Sequence, residues 1–245
     1  MRILGVRIDN LSKKEILEKI EFFLIEEKFH QIATVNPEFI LAAQADADFR
    51  KILNDCDLNV ADGVGIWYAF LRFGKFLQGR FAGVDLLAEI LQIASEKKLS
   101  IFLAISKDGL SSFAEIKSII QKKYPDLKIE GADIGINKQS SVINHHGMKS
   151  NSQFKINDCD ILICNFGAPW QERFIKNVKS AKIRLAIGVG GSFDFLTGKI
   201  ARAPIWLRKV GLEWLWRFAQ EPVYRSKRIF KAVIIFPIKI LFSKK

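Results

Sequence analysis

Up to about residue 190 the chain repeats one pattern, in which a short apolar run of β-forming residues is followed by an amphipathic stretch with helical spacing. Gln31–Val35, Leu58–Ala61, Ser100–Ile105, Leu127–Glu130, Ile161–Cys164 and Arg184–Ile187 read as strands, several of them apolar throughout. Helical periodicity runs through Ile16, Ile20 and Phe23 behind a Ser12-Lys13-Lys14-Glu15 capping box. It recurs over 38–54, 84–98, 110–123 and 170–180. Strands without polar alternation, joined by helices of ten to fifteen residues, have one economical solution. It is a mainly parallel sheet buried on both faces, an α/β fold of the Rossmann-like type.

From Pro204 the pattern changes. Trp206, Leu207, Val210, Leu212, Trp214, Leu215 and Phe218 recur at helical spacing among arginines, Pro222 interrupts them, and a basic apolar helix is predicted over 223–236. The net charge of +12 is concentrated here, since residues 199–245 hold twelve lysines and arginines against Glu213 and Glu221. The expected organisation is an α/β domain over 1–198 and a basic helical appendage over 199–245. An anionic partner for the appendage follows from its charge.

Other classes fit less well. Cys56, Cys159 and Cys164 are too few and too scattered for a disulfide framework, and a reducing cytoplasm is expected. Residues 1–6 lack the apolar core of a signal peptide, and no apolar stretch reaches the ~20 residues of a spanning helix. The segment 138–153 has no clear period and reads as a loop or a frayed helix; it contains His145-His146, which have no partners at metal-ligand spacing. Asn54-Asp55-Cys56-Asp57 and Asn157-Asp158-Cys159-Asp160 read as two similar helix-to-strand turns whose Asn and Asp bond the local backbone.

In a parallel α/β sheet, ligands bind outside the carboxyl ends of the strands. Four such ends carry polar or glycine-rich loops and should share one rim: Thr34-Val35-Asn36-Pro37, Asp62-Gly63-Val64-Gly65, Asn165 to Glu172, and Gly188-Val189-Gly190-Gly191. Asp62, beside glycines that leave room for a ligand, suits a general base, although by spacing alone a cap on the helix starting near Val64 is the first reading. Asn165 and Gln171 offer amides for a sugar or base, or Asn165 closes a turn. Gly188 and Gly190 would let a phosphate approach the backbone. The triplets Asp46-Ala47-Asp48, Asp55-Cys56-Asp57 and Asp158-Cys159-Asp160 have the spacing that holds a metal on a nucleotide diphosphate. They fall in helices or before strands, on the wrong edge of the sheet, so no metal is expected there.

The ordered set of these loops resembles the WecG/TagA/CpsF family of bacterial glycosyltransferases. The resemblance runs through Thr34–Glu38, Ala61–Gly65, Gly79–Asp85, Gly167–Glu172, Gly188–Gly191 with Phe193-Asp194, Arg202-Ala203-Pro204, Gly211–Leu215, Arg217 and Glu221-Pro222. It implies inverting transfer of an N-acetylmannosamine-type sugar from a UDP-sugar donor to N-acetylglucosamine on a polyprenyl pyrophosphate, without a metal or other cofactor. It also implies Asp62 as the base, with Thr34, Asn36 and Gln171 in the pocket, where Gly63 and Gly65 are the glycines expected to leave room for the ligand. Tail arginines would meet the pyrophosphate of the lipid-linked acceptor, and Arg217 matches one of them. The family pattern has two more, seven and ten residues later. Here those positions are Tyr224 and Lys227, with Arg225 and Arg228 one residue beyond, a rotation of about 100° on a helix. Which of the two reaches the acceptor stays open.

Basic and aromatic residues together suit the tail to an anionic membrane surface, where each cation contributes about 1 kcal/mol. The expected location is therefore the inner face of the cell membrane, peripherally, with homo-oligomerisation left open. Two rivals remain. A Rossmann-type oxidoreductase would need a Gly-X-Gly-X-X-Gly after its first strand, which is missing. A nucleic-acid-binding module would explain the basic tail, but that tail mixes its charge with aliphatics of the buried type, so no nucleic-acid partner is expected.

Overall fold

The computed structural model describes residues 1–136, 156–178 and 182–243. The segment 138–153 with His145-His146, the predicted helix end at Ser180, and Lys244 and Lys245 lie outside the described residues.

The chain opens with an antiparallel hairpin, β1 (Arg2–Ile3) and β2 (Val6–Arg7), turning at Leu4-Gly5, both with positive φ. The capping box at Ser12 and Glu15 then starts α1 (Lys13–Ile25). β3 (His30–Val35), α2 (Pro37–Ala45), α3 (Ala47–Asp55) and β4 (Leu58–Ala61) follow. The single helix expected over 38–54 is two helices, because the Asp46 side chain accepts from the Phe49 N–H and caps a new start. Next come α4 (Val64–Arg72), α5 (Gly83–Glu96), β5 (Ser100–Ser106), α6 (Phe113–Lys123) and β6 (Lys128–Ile134). α6 begins three residues later than its apolar spacing suggests, at a second capping box formed by Ser112 and Glu115. β6 is longer than predicted since it pairs with β5 residue by residue, from Ser100 opposite Lys128 to Ser106 opposite Ile134.

β7 (Ile161–Cys164), α7 (Trp170–Val178), β8 (Leu185–Gly188) and α8 (Ser192–Leu196) complete the α/β layer. The six strands from β3 onward lie in the order β4-β3-β8-β7-β5-β6, and every pairing is parallel. One face carries Ile32, Val60, Leu103, Ile163 and Ile187 against α1, α5 and α6. The other carries smaller side chains, among them Ala33, Ala61, Ala104 and Ala186, beneath α2, α4 and α7. Asp57 and Asp160 each accept from a neighbouring strand's first residues, Gln31 and Ser100. The two Asn-Asp-Cys-Asp turns therefore tie strands together at their amino ends, rather than bonding only locally.

The tail consists of α9 (Ile205–Lys209), α10 (Glu213–Gln220), α11 (Pro222–Phe230), a π-helical turn at Lys231–Ile235 and α12 (Phe236–Phe242). The aromatic run expected as one helix is divided between α9 and α10 at Gly211. That residue has φ +80°, and a Cβ there would lie 3.1 Å from Val64. The widened turn before Pro237 admits a ring that has no N–H and would crowd the preceding turn of an α-helix. Phe236 and Ile240 are fully buried in the core formed with α2 and α4, so the last helix is part of that core. Among the described residues no helix is long and apolar enough to cross a membrane.

Candidate active site

Because all six strands run the same way, Val35, Ala61, Cys164 and Gly188 end at one edge, and the four loops expected to share a rim do so. Asp62 stands on this rim, its backbone N–H donating to the Val35 carbonyl at 2.9 Å. It is not the cap of α4. That position belongs to Gly63, at φ +85° and without a side-chain hydrogen bond. The Asp62 carboxyl is recessed, and burial pushes it up to about 6. Arg217, Arg80 and the Gly63 N–H draw it down, while Glu213 pushes it further up. A carboxylate so poised is mostly ionised at neutral pH yet basic enough to accept a proton in a transition state.

Arg217, on α10, lies against the sheet's edge. Its guanidinium sits 4.5 Å from the Phe195 ring centroid, and its Nη2 is 3.6 Å from the point where a Gly191 Cβ would stand. Its Nε is buried with no hydrogen-bond partner among the described residues. Burial and the nearby Arg225 lower its pKa to about 10, so it stays cationic at neutral pH. Arg80 reaches the same region from the loop before α5, with Nη2 donating to the Arg208 carbonyl at 3.1 Å. Arg202 pairs with Asp85 at 2.7 Å and lies 3.8 Å from Glu213, fastening the start of the tail to α5.

The remaining candidates divide by what their side chains already hold. Gln171 is buried; its Oε1 accepts from the N–H groups of Gly167 and Gly190, each at 3.1 Å, and its Nε2 donates to Glu172 at 2.7 Å. Its amide therefore clamps two glycine loops together instead of facing the cleft. The Gly190 N–H expected to meet a phosphate is engaged in the same clamp. Gly188 makes room for this clamp, because a Cβ there would lie 2.3 Å from Gln171 Nε2. Glu172 is fully buried, with burial pushing its carboxyl up to about 7. Asn165 accepts from the Ser106 N–H at 2.6 Å, so its side chain ties the end of β7 to the end of β5 instead of closing a local turn. Asn36 caps α2, its Oδ1 accepting from Glu38 and Phe39. Gly65 is a packing position whose Cβ would lie 2.5 Å from Pro37 Cγ. Thr34 is buried, with its Oγ1 beside Gly83 at the start of α5.

Neither Arg225 nor Arg228 is aimed into open space. Arg225 pairs with Glu221 at 2.6 Å, and Arg228 makes a two-pronged contact with Glu38. The Asp-X-Asp triplets have structural partners as well: Asp46 holds Arg173, Asp57 and Asp160 hold strand starts, and Asp158 holds Lys182. Among the described residues no three His, Cys, Asp or Glu side chains converge as a metal site would require.

The comparisons with known proteins identify the family. Residues 1–245 match the family described as the glycosyl transferase WecG/TagA/CpsF family. The chain belongs to this family. It is 32% identical over 225 residues to an N-acetylglucosaminyldiphosphoundecaprenol N-acetyl-beta-D-mannosaminyltransferase of Bacillus subtilis (strain 168), covering 90% of this chain and 83% of the relative. It is 28% identical to a protein of the same name from Staphylococcus aureus (strain MRSA252), over 99% of this chain and 92% of the relative.

For a glycosyl transferase of this family, the rim offers a recessed carboxylate between cations drawn from two parts of the chain. Arg80, Glu213 and Asp194 are the residues that strand-end reasoning passes over. Arg80 lies inside the Gly79–Asp85 motif, four residues before α5 is expected, with no signal in its spacing that it turns toward Asp62. Asp194 is held by Ser111 Oγ at 3.0 Å, its Oδ2 3.3 Å from the same Gly191 position that Arg217 approaches.

Proposed function

We propose that this enzyme transfers an N-acetylmannosamine-type sugar from its UDP donor to N-acetylglucosamine carried on a polyprenyl diphosphate, in the synthesis of a cell-surface polymer such as teichoic acid. The observation that carries the reading is the Asp62 carboxyl at the strand-end cleft of a chain in this family, where burial raises its pKa to about 6 and Arg217 and Arg80 oppose that rise. The names of the relatives supply the sugar and the lipid.

In the reaction the acceptor hydroxyl oxygen forms a bond to the anomeric carbon while the bond from that carbon to the UDP oxygen breaks. Asp62 takes the hydroxyl proton, and the electron pair leaves with the diphosphate. Attack opposite the leaving group inverts the anomeric centre. The departing charge needs donors already in position. Gly190 is occupied by Gln171, which gives this role to Arg217 and Arg80, whose planar groups suit phosphate oxygens. Thr34 lies within reach of the donor sugar, and Gln171 acts indirectly by fixing the two glycine loops. Arg225 and Arg228 would meet the acceptor diphosphate by exchanging Glu221 and Glu38 for it. No divalent metal is required, since the aspartate triplets are engaged at the opposite edge. The enzyme works peripherally on the inner face of the membrane, with the tail against anionic lipid.

The test uses radiolabelled UDP-N-acetylmannosamine with a short-chain lipid-diphosphate N-acetylglucosamine acceptor, in excess EDTA. Labelled disaccharide-lipid with inverted anomeric configuration is expected. Activity that appears only with added Mg²⁺ or Mn²⁺ would reject the metal-free mechanism, and no product from this donor and acceptor pair would reject the substrate assignment.

A further inference from the structure

Neither 63–84, which includes α4, nor the chain after Glu221, which includes α12, contains an acidic residue. The fold places these helices side by side. Near the start of each, a Cβ on Gly65 would lie 3.6 Å from the buried Phe236 ring, and near the end of each, Arg72 donates to the Leu241 carbonyl at 3.0 Å. Contacts start to start and end to end make the pair parallel. Both helices turn apolar residues inward, Ile66 and Phe70 from α4 and Phe236 and Ile240 from α12.

Both also turn apolar residues outward. Trp67 is 47% and Leu71 38% exposed on α4, one turn apart, and Phe76 just beyond is 81% exposed. Beside them, Ile238, Leu241 and Phe242 of α12 are 52%, 49% and 80% exposed. Arg72, Lys75 and Lys239 are interspersed, all exposed. Solvent-facing aromatic and aliphatic side chains with cations and no acids have the chemistry of a surface that sinks into the headgroup layer of an anionic membrane.

We infer that α4 of the catalytic layer and α12 of the tail form one bilayer-facing surface, so that the catalytic layer itself touches the membrane. The occupant is the anionic lipid surface, and the inference rests on the lipid-linked acceptor of the proposed function. Its consequence is geometric. Asp62 lies two residues before α4, a nine-residue helix about 13 Å long. Seating the far end of α4 in the headgroups fixes the height of the base above the bilayer at roughly that length or less. A sugar on a membrane-embedded diphosphate stands in that zone. A flexible tail acting as the only anchor would leave this height unset.

The full-length protein with Trp67 as its sole tryptophan, the other four replaced by Phe, tests this with phosphatidylglycerol–phosphatidylcholine vesicles containing dibrominated acyl chains. Trp67 emission is expected to shift to the blue and to be quenched on binding. The variant W67S/L71S/F76S, which leaves the tail intact, should bind these vesicles at least about tenfold more weakly. It should still transfer sugar to a water-soluble acceptor analogue at the parent rate. An unquenched Trp67 on bound protein, or parent-like affinity in the triple variant, would overturn the inference and leave the tail as the sole anchor. Concentration-dependent self-association abolished by the triple variant, without vesicle binding, would overturn it in favour of a second copy of this chain. Absence of transfer to the soluble analogue by the parent protein tests the proposed function instead, so the two failures are distinguishable.

Discussion

The strand-end loops and the tail helices face each other across the candidate site, and they differ in how fully their buried polar groups are engaged. In the loops almost every polar side chain is engaged: Gln171 uses both its oxygen and its nitrogen, Asn165 ties the end of β7 to the end of β5, and Asn36 caps α2. In the tail, Arg208 and Arg217 each keep a buried Nε without a hydrogen-bond partner among the described residues. A buried donor left unmatched is unfavourable, so groups like these are expected where an anion arrives. The comparison assigns rigidity to the α/β layer and charge to the tail. Asp62 is the exception, the group on the rigid side whose charge is opposed by burial.

Removing that exception should have the largest effect. Asp62→Asn is expected to lower kcat by about 10²–10⁴-fold, the range for loss of a general base, with donor binding retained. Steady-state kinetics beside equilibrium UDP-sugar binding measures both, and a residual rate above about a tenth of the parent's would remove Asp62 from the role.

Phe236→Ala tests whether the tail is separable. Phe236 is fully buried, so truncation should destabilise the whole protein by about 3–5 kcal/mol. Chemical denaturation should show one transition moving as a unit; an unchanged midpoint would mean that the last helix merely rests on the core.

Arg217→Ala should lower kcat/KM by about 10²–10³-fold, as for loss of a preorganised donor to a developing charge. Vesicle binding should fall little, because eleven other cations remain in 199–245. Arg217→Lys should recover only part of the rate, since an ammonium cannot form the planar two-pronged contact. Full recovery would reduce the role to charge alone.

The pH profile offers a finer test. Burial raises the Asp62 pKa, and the base works only when ionised, so kcat/KM for the free enzyme should fall as pH drops through about 6, approaching tenfold per unit below it. A limb near the ordinary aspartate value of ~3.9 would show that the cleft does not desolvate this carboxyl.

The smallest effect concerns Arg228 and Glu38, a half-exposed pair joining the tail to α2. Glu38→Gln should change stability by no more than about 1 kcal/mol. If Arg228 serves the acceptor diphosphate, freeing it should lower the KM for the lipid acceptor rather than raise it.

The sequence by itself determined the alternating strands and helices, the parallel character of the sheet, the rim of four loops and the contrast between a nearly neutral layer and a basic tail. Each depends on near neighbours in the chain, on periodicity, capping residues and local charge, and these survive without knowledge of the fold. The family assignment also followed from ordered motifs. Tertiary structure alone decided what the individual side chains do, because their partners lie far away in the chain. Gln171 reads as a ligand-binding amide until Gly190, nineteen residues on, takes its oxygen. Gly65 reads as a pocket glycine until Pro37 and Phe236 close over it. By spacing alone Asp62 reads as a helix cap, while the fold gives that position to Gly63 and brings Arg80, Glu213 and Arg217 near the carboxyl. The tail reads as an appendage until Phe236 and Ile240 enter the core, because apolar spacing shows that a helix has a face to bury but not which surface receives it.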